Sequence, residues 1–240
     1  MRDIDIGVLH FLRSYFGRWP AFDGFVEMLV DNGLLKAGPI LITLWVLWFV
    51  RDAQTDRRRA GIVSLLVAGC AAAAVSVYLT RILPIRLRPI FEPSLSLGIP
   101  QGTPEWGRVS SLPSDHAALF VAMACGLMFV SRRWGWLALL DVVLFVCVPR
   151  AYVGLHYFWD LVAGAFIGVV FAWLCNTEFV RTRLSERLVR LEASHAPVFY
   201  GAMFTLMMQI ADLFHDARQA VGLLVRAVAW VGRGLGVPLN

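Results

Sequence analysis

Residues 60–80 read AGIVSLLVAGCAAAAVSVYLT, an unbroken run without a charge that ends at Arg81. About 20 apolar residues, rising about 1.5 Å each as a helix, are enough to cross the hydrocarbon of a bilayer, so this stretch reads as a transmembrane helix. Working outward from it, similar apolar stretches recur at 34–50, 115–131, 135–153, 157–176 and 197–214, the last carrying Gln209 and Asp212 near its end. The fold this predicts is all-α: a polytopic membrane helix bundle of about six transmembrane helices. Composition agrees, with 58% hydrophobic and 16% charged residues against roughly 25% charged in an ordinary soluble domain.

Several other classes fit poorly. Residues 1–20 mix Arg2, Asp3, Asp5, Arg13 and Arg18 with apolar residues, which is not the pattern of a secretory signal. Cys70, Cys125, Cys147 and Cys175 all fall inside apolar runs without paired spacing, so they read as buried free thiols and not as a disulfide or metal set. The net charge of +5 is almost all arginine, Lys36 being the only lysine. In a membrane chain such an excess orients loops, and no nucleic-acid partner is expected.

The long segment 82–114 holds Pro84, Pro89, Pro93, Pro100, Pro104 and Pro113, which exclude regular helix over most of it and suggest a cap outside the lipid. Segments 51–60, 131–135 and 178–196 carry ten arginines, whereas the opposite face has five: Arg81, Arg86, Arg88, Arg108 and Arg150. The richer loops are expected in the cytoplasm and the other face toward the periplasm or cell exterior, in the inner (cell) membrane. Residues 1–33, broken by Pro20 and by Asn32-Gly33, read as two interfacial helices. Arg218, Arg226 and Arg233 fall on one stripe of an amphipathic C-terminal helix over 216–235. The whole of 1–240 reads as one membrane domain, with core spans over 34–176 and the polar motifs within 81–160.

Those motifs gather at the outer ends of successive spans. Arg81 and Arg88 flank a proline-bent segment, and Arg150 follows Pro149. Any one of them could be an arginine reaching for lipid headgroups. Three at one face suit a phosphoryl group, because the guanidinium fork matches phosphate oxygens. His156 and Asp160 lie four apart and share a helical face, so the carboxylate could accept from one imidazole nitrogen and leave the other as nucleophile or base. Ser114 and Asp115 precede an apolar run as an N-cap would, and a helix N-terminus with free amides is also an anion site. His116 stands beside it as a proton donor.

These residues resemble the type-2 phosphatidic acid phosphatase superfamily, whose motifs read Lys-x6-Arg-Pro, Pro-Ser-Gly-His and Ser-Arg-x5-His-x3-Asp. Here they stand as Arg81-x6-Arg88-Pro89, Pro113-Ser114-Asp115-His116 and Pro149-Arg150-x5-His156-x3-Asp160. Three positions depart from the pattern: Arg81 for lysine, Asp115 for glycine and Pro149 for serine. The second resembles the undecaprenyl diphosphate phosphatase branch. The resemblance implies a lipid phosphatase in which His156 attacks phosphorus, Asp160 holds its other nitrogen, and His116 protonates the leaving oxygen and then activates water. Arg81, Arg88, Arg150, Ser114 and Asp115 with its neighbouring amides would surround the phosphate. It implies no cofactor and no metal.

The expected partners are a lipid phosphate substrate and membrane lipids, and a homodimer stays open. Undecaprenyl diphosphate is the first substrate choice. Phosphatidic acid, phosphatidylglycerol phosphate and lipid A phosphates are alternatives, as is a phosphotransferase using the same residues. A lipid-binding or transport protein is the reading from outside enzymology.

Overall fold

The computed structural model describes residues 2–95, 97 and 110–215. The expected C-terminal amphipathic helix over 216–235 and part of the proline-rich segment lie outside them. Among the described residues all regular structure is helical. The chain divides into two units, Met1–Ala196 and Pro197–Asn240.

The centre of the first unit is a trio of helices: α4 (Thr55–Ile82), α5 (Asp115–Val130) and α8 (Phe158–Cys175), each packed on the other two. Their contact is built from small residues. Ala68, Ala72, Ala118 and Ala122 form a buried cluster, with Ile167 and Phe171 against it. A Cβ on Gly168 would come within 2.7 Å of the Ala118 oxygen, so only glycine lets α8 lie this close to α5. Lipid is as apolar as the side chains, so close approach through small residues holds such helices where hydrophobic burial cannot. α5 has 16 residues, or about 24 Å, and is short for a span; the longer α4 and α8 pack on it.

The fourth expected span is continuous from Arg132 to Tyr152 but not regular. α6 (Arg132–Asp141) passes through a π-helical stretch, Val142–Cys147, into the short α7 (Val148–Tyr152). The wider turns re-aim the next few side chains, and Arg150 is among them.

Among the described residues three helices are long and apolar enough to cross a membrane: Thr55–Ile82, Arg132–Tyr152 and Phe158–Cys175. A fourth span results if α2 (Pro20–Asp31) and α3 (Gly33–Phe49), bent by 59°, count as one. The bend falls at the expected Asn32-Gly33 break, where the Asn32 side chain caps α3 by accepting from the amides of Leu34 and Leu35. α5 and, in the second unit, α10 (Ala196–Ala211) are shorter apolar helices. Against the expected count of about six, the described residues offer three or four by this measure.

Two other segments differ from the sequence reading. The N-terminal helices α1 (Arg2–Arg13) and α2 do not merely rest at an interface. Val26 and Val30 are buried with Ile90, Tyr152, Val153 and Leu155, and the Tyr152 hydroxyl donates to Asp23. The basic segment 178–196, read as a loop, is helix α9 (Glu178–Ser194), tied to the start of α4 by an Arg59–Glu192 ion pair of 3.0 Å. The four cysteines are free and half-buried.

Candidate active site

His156 is placed by a turn that only glycine can make. After α7 the chain reverses at Gly154, whose φ of +82° is the left-handed region. The amides of Leu155 and His156 then close on the Arg150 carbonyl, at 2.9 and 3.4 Å. The Gly154 carbonyl accepts from Ile90 at 3.0 Å, and a Cβ there would lie 2.8 Å from the Ile90 side chain. This contact fastens the Arg88-Pro89 segment to the turn that carries His156.

The imidazole is 3% exposed. Its Nδ1 lies 2.9 Å from the carbonyl oxygen of Ser111. A carbonyl can only accept, so Nδ1 carries the proton and Nε2 keeps its lone pair. Asp160, fully buried, is the acceptor expected from the motif spacing; its Oδ2 is instead 3.9 Å from Nδ1, beyond hydrogen-bond reach. Its oxygens have other partners. Oδ2 accepts from the Tyr157 amide at 2.8 Å, capping α8, and Oδ1 meets the Arg86 guanidinium at 2.5 Å. Burial, with Arg88 next in weight, holds His156 well below the ordinary imidazole pKa, so it is neutral.

The second motif opens α5. Ser114 is its N-cap, its hydroxyl facing the Ala117 amide at 3.4 Å. The Ser114 amide donates to the Asp160 carbonyl at 3.0 Å and joins the first turns of α5 and α8. Gly164 makes that join possible, because a Cβ there would overlap the Ser114 oxygen. Asp115 turns inward upon its own motif: Oδ1 takes the His116 amide at 2.9 Å and His116 Nδ1 at 2.8 Å. The carboxylate thus orients His116 and leaves Nε2 as the working nitrogen.

Arg150 is 2% exposed, with Nη1 donating to the Val146 carbonyl at 3.2 Å. Arg88 is half-buried and reaches toward the Leu155 carbonyl at 3.5 Å. Burial lowers its pKa, opposed by the carboxylates of Asp115 and Asp160. Arg88, Asp115, Arg150 and His116 lie near enough to act electrostatically on His156, and the Asp160 carboxylate is 3.9 Å from its Nδ1. The structure therefore gathers His116, Asp115, Arg88, Arg150, His156 and Asp160 at one place, with Ser114 capping the same turn. Arg81, on the last turn of α4, is exposed and has no part in these contacts.

Three participants escape a reading of the sequence. Arg86 reads there only as a loop charge, the Ser111 carbonyl has no side-chain signature, and Asp5 is 81 residues from the Arg86 guanidinium it meets at 2.5 Å. Lys36 is a fourth candidate. It is buried on α3 and close enough for its charge to act on His116. Its standing as the only lysine, in an apolar helix, is the signal that could have found it.

Comparison with known proteins fits this arrangement. The chain is 36% identical over 63 residues to the bacitracin transport permease protein BcrC of Bacillus licheniformis, an alignment covering 26% of this chain and 30% of that protein. The chain thus matches less than a third of that relative's length. No solved structure matches significantly. The model of the PAP2 superfamily matches residues 61–183, about half of the chain and nearly all of the apparatus just described, and the protein belongs to that superfamily.

Proposed function

We propose that this protein is a membrane lipid phosphatase acting through a phosphohistidine. The observation that carries the reading is the buried, neutral His156, with Nδ1 committed to Ser111 and two guanidiniums and a second histidine beside it. Nε2 of His156 attacks phosphorus, and the bond to the leaving oxygen breaks as His116, doubly protonated with its Nδ1–H held by Asp115, passes its Nε2 proton to that oxygen. Arg88 and Arg150 stabilise the charge on the equatorial oxygens. His116, now basic, takes a proton from water; the hydroxide attacks the phosphohistidine, the P–N bond breaks, and phosphate leaves. Each step uses a group of this chain, and no cofactor enters.

The substrate we favour is undecaprenyl diphosphate, supported by Asp115 at the position where the family motif has glycine. In the orientation favoured by the basic loops the site faces the periplasm or exterior of the cell membrane. The transport reading has one observation in its favour, the name of the relative from Bacillus licheniformis.

Phosphate release from undecaprenyl diphosphate and from phosphatidic acid, by the wild type beside His156→Ala, tests both. Turnover that disappears in a folded His156→Ala protein, with vanadate inhibiting the wild type, supports the phosphatase. Turnover retained in that variant removes His156 as nucleophile, and no release from any lipid phosphate favours the carrier.

A further inference from the structure

Arg86 lies outside the three motifs, yet it holds both groups that face the Nδ1 side of His156. Its Nη1 meets Asp160 Oδ1 at 2.5 Å, and the other oxygen of that carboxylate is the one 3.9 Å from the imidazole. Its main chain grips the other group. The Arg86 carbonyl accepts from the Ser111 amide at 2.9 Å, and the Arg86 amide faces the Ser110 hydroxyl at 3.2 Å. Ser111 is the residue whose carbonyl accepts the hydrogen bond from His156 Nδ1.

The guanidinium is anchored in turn from the N-terminal helix. Arg86 Nη2 meets Asp5 Oδ2 at 2.5 Å, while Asp5 Oδ1 accepts from the Trp159 amide at 3.0 Å in the first turn of α8. The guanidinium carbon also lies 4.2 Å over the Tyr157 ring. Asp5 is 2% exposed and Asp160 fully buried. Two carboxylates removed from water need a cation between them, and a forked guanidinium can satisfy both while fixing their separation. A surface anchor has no use for a buried aspartate aimed at another helix's amide.

We propose that Arg86 is a positioning residue for the nucleophile, and that Asp5 completes the ion triad through which Arg86 fixes Asp160 and the Ser111 carbonyl around His156. The N-terminal helix is then part of the catalytic apparatus. This rests on His156 being the nucleophile.

The test uses the full chain in vesicles with undecaprenyl diphosphate or phosphatidic acid, whichever the wild type turns over. Asp5→Asn and Arg86→Met are each expected to lower kcat about a hundredfold, since small misplacements of a reacting group cost that much. KM should move less than about threefold, because the substrate is held elsewhere. Arg86→Lys should recover part of kcat, and Asp5→Asn should add nothing further in the Arg86→Met background. If Arg86→Met does not fold, Asp5→Asn and Arg86→Lys decide the matter.

Wild-type kcat in Asp5→Asn overturns the proposal, as does a loss of activity that tracks only the fraction of folded protein. A rise in KM at constant kcat does too, because it would place Arg86 on the substrate. Should His156→Ala keep turning over, the underlying reading fails; should it be inactive while the Asp5 and Arg86 variants keep their kcat, only this inference fails.

Discussion

His156 donates its Nδ1–H to the Ser111 carbonyl at 2.9 Å, while the Asp160 carboxylate stands off at 3.9 Å. Tautomer control is thus exerted by main chain, and the carboxylate serves as a fixed charge and a helix cap. The division of labour can be measured.

Asp160→Asn should leave the tautomer of His156 intact. In serine-protease triads, where the carboxylate is the Nδ1 acceptor, the same change costs roughly 10⁴ in kcat. The expectation here is nearer a hundredfold, from the disturbed Arg86 pairing. A triad-sized loss would mean that the carboxylate closes on the imidazole once substrate binds.

The depressed pKa of His156 makes acid pH destabilising. In the unfolded chain this imidazole titrates near 6.5, whereas in the folded protein it titrates well below. As pH falls past about 6.5 the unfolded chain takes up a proton that the folded one refuses, and stability declines until the folded pKa is reached. The melting temperature should therefore drop more between about pH 6.5 and 5 in the wild type than in His156→Ala. Equal slopes would show that the buried imidazole does not govern acid stability.

The join between α5 and α8 should tolerate no added methyl group. Gly164→Ala would drive a Cβ into the Ser114 oxygen, and Gly168→Ala would press within 2.7 Å of the Ala118 oxygen. Each is expected to cost about 1–3 kcal/mol of stability, typical of overpacking. Gly24→Ala, with nothing near its Cβ, should be neutral or better. Thermal denaturation in detergent checks all three, and a stable, active Gly164→Ala would show that the helices can part without consequence.

Two of the motif arginines, Arg150 and Arg81, should separate in a kinetic assay. Arg150 is buried at the site and Arg81 is exposed on the end of α4. Arg150→Gln should lower kcat/KM by at least about a hundredfold, as losing a transition-state donor does, and Arg81→Gln by only a few-fold. Equal losses would place the end of α4 over the bound phosphate.

Much of this is legible in the chain itself. The long runs ending at Arg81 and starting at Phe158 appear as α4 and α8 because an apolar stretch of that length has no other stable form in lipid. Asp160 lies in the first turn of α8, but His156 sits in the bend ahead of that helix and not on its face, and Ser114 caps α5. Segment 178–196 reads as a loop because its arginines mask a helix face that pairs Glu192 with Arg59. The π stretch at Val142–Cys147 carries no glycine or internal proline to announce it. Asp5 and Arg86 are invisible as a pair for a different reason: nothing local marks a contact made across so many intervening residues.

The amide of Ser114 bonded to the carbonyl of Asp160 has a wider consequence. It rivets the turn bearing His116 to the start of α8 beside His156, so the separation of the two imidazoles is a constant of the frame. On the proposed reading, lipids with tails of any length would meet the same gauge at the head, and discrimination among them would fall to the surfaces that hold the tail.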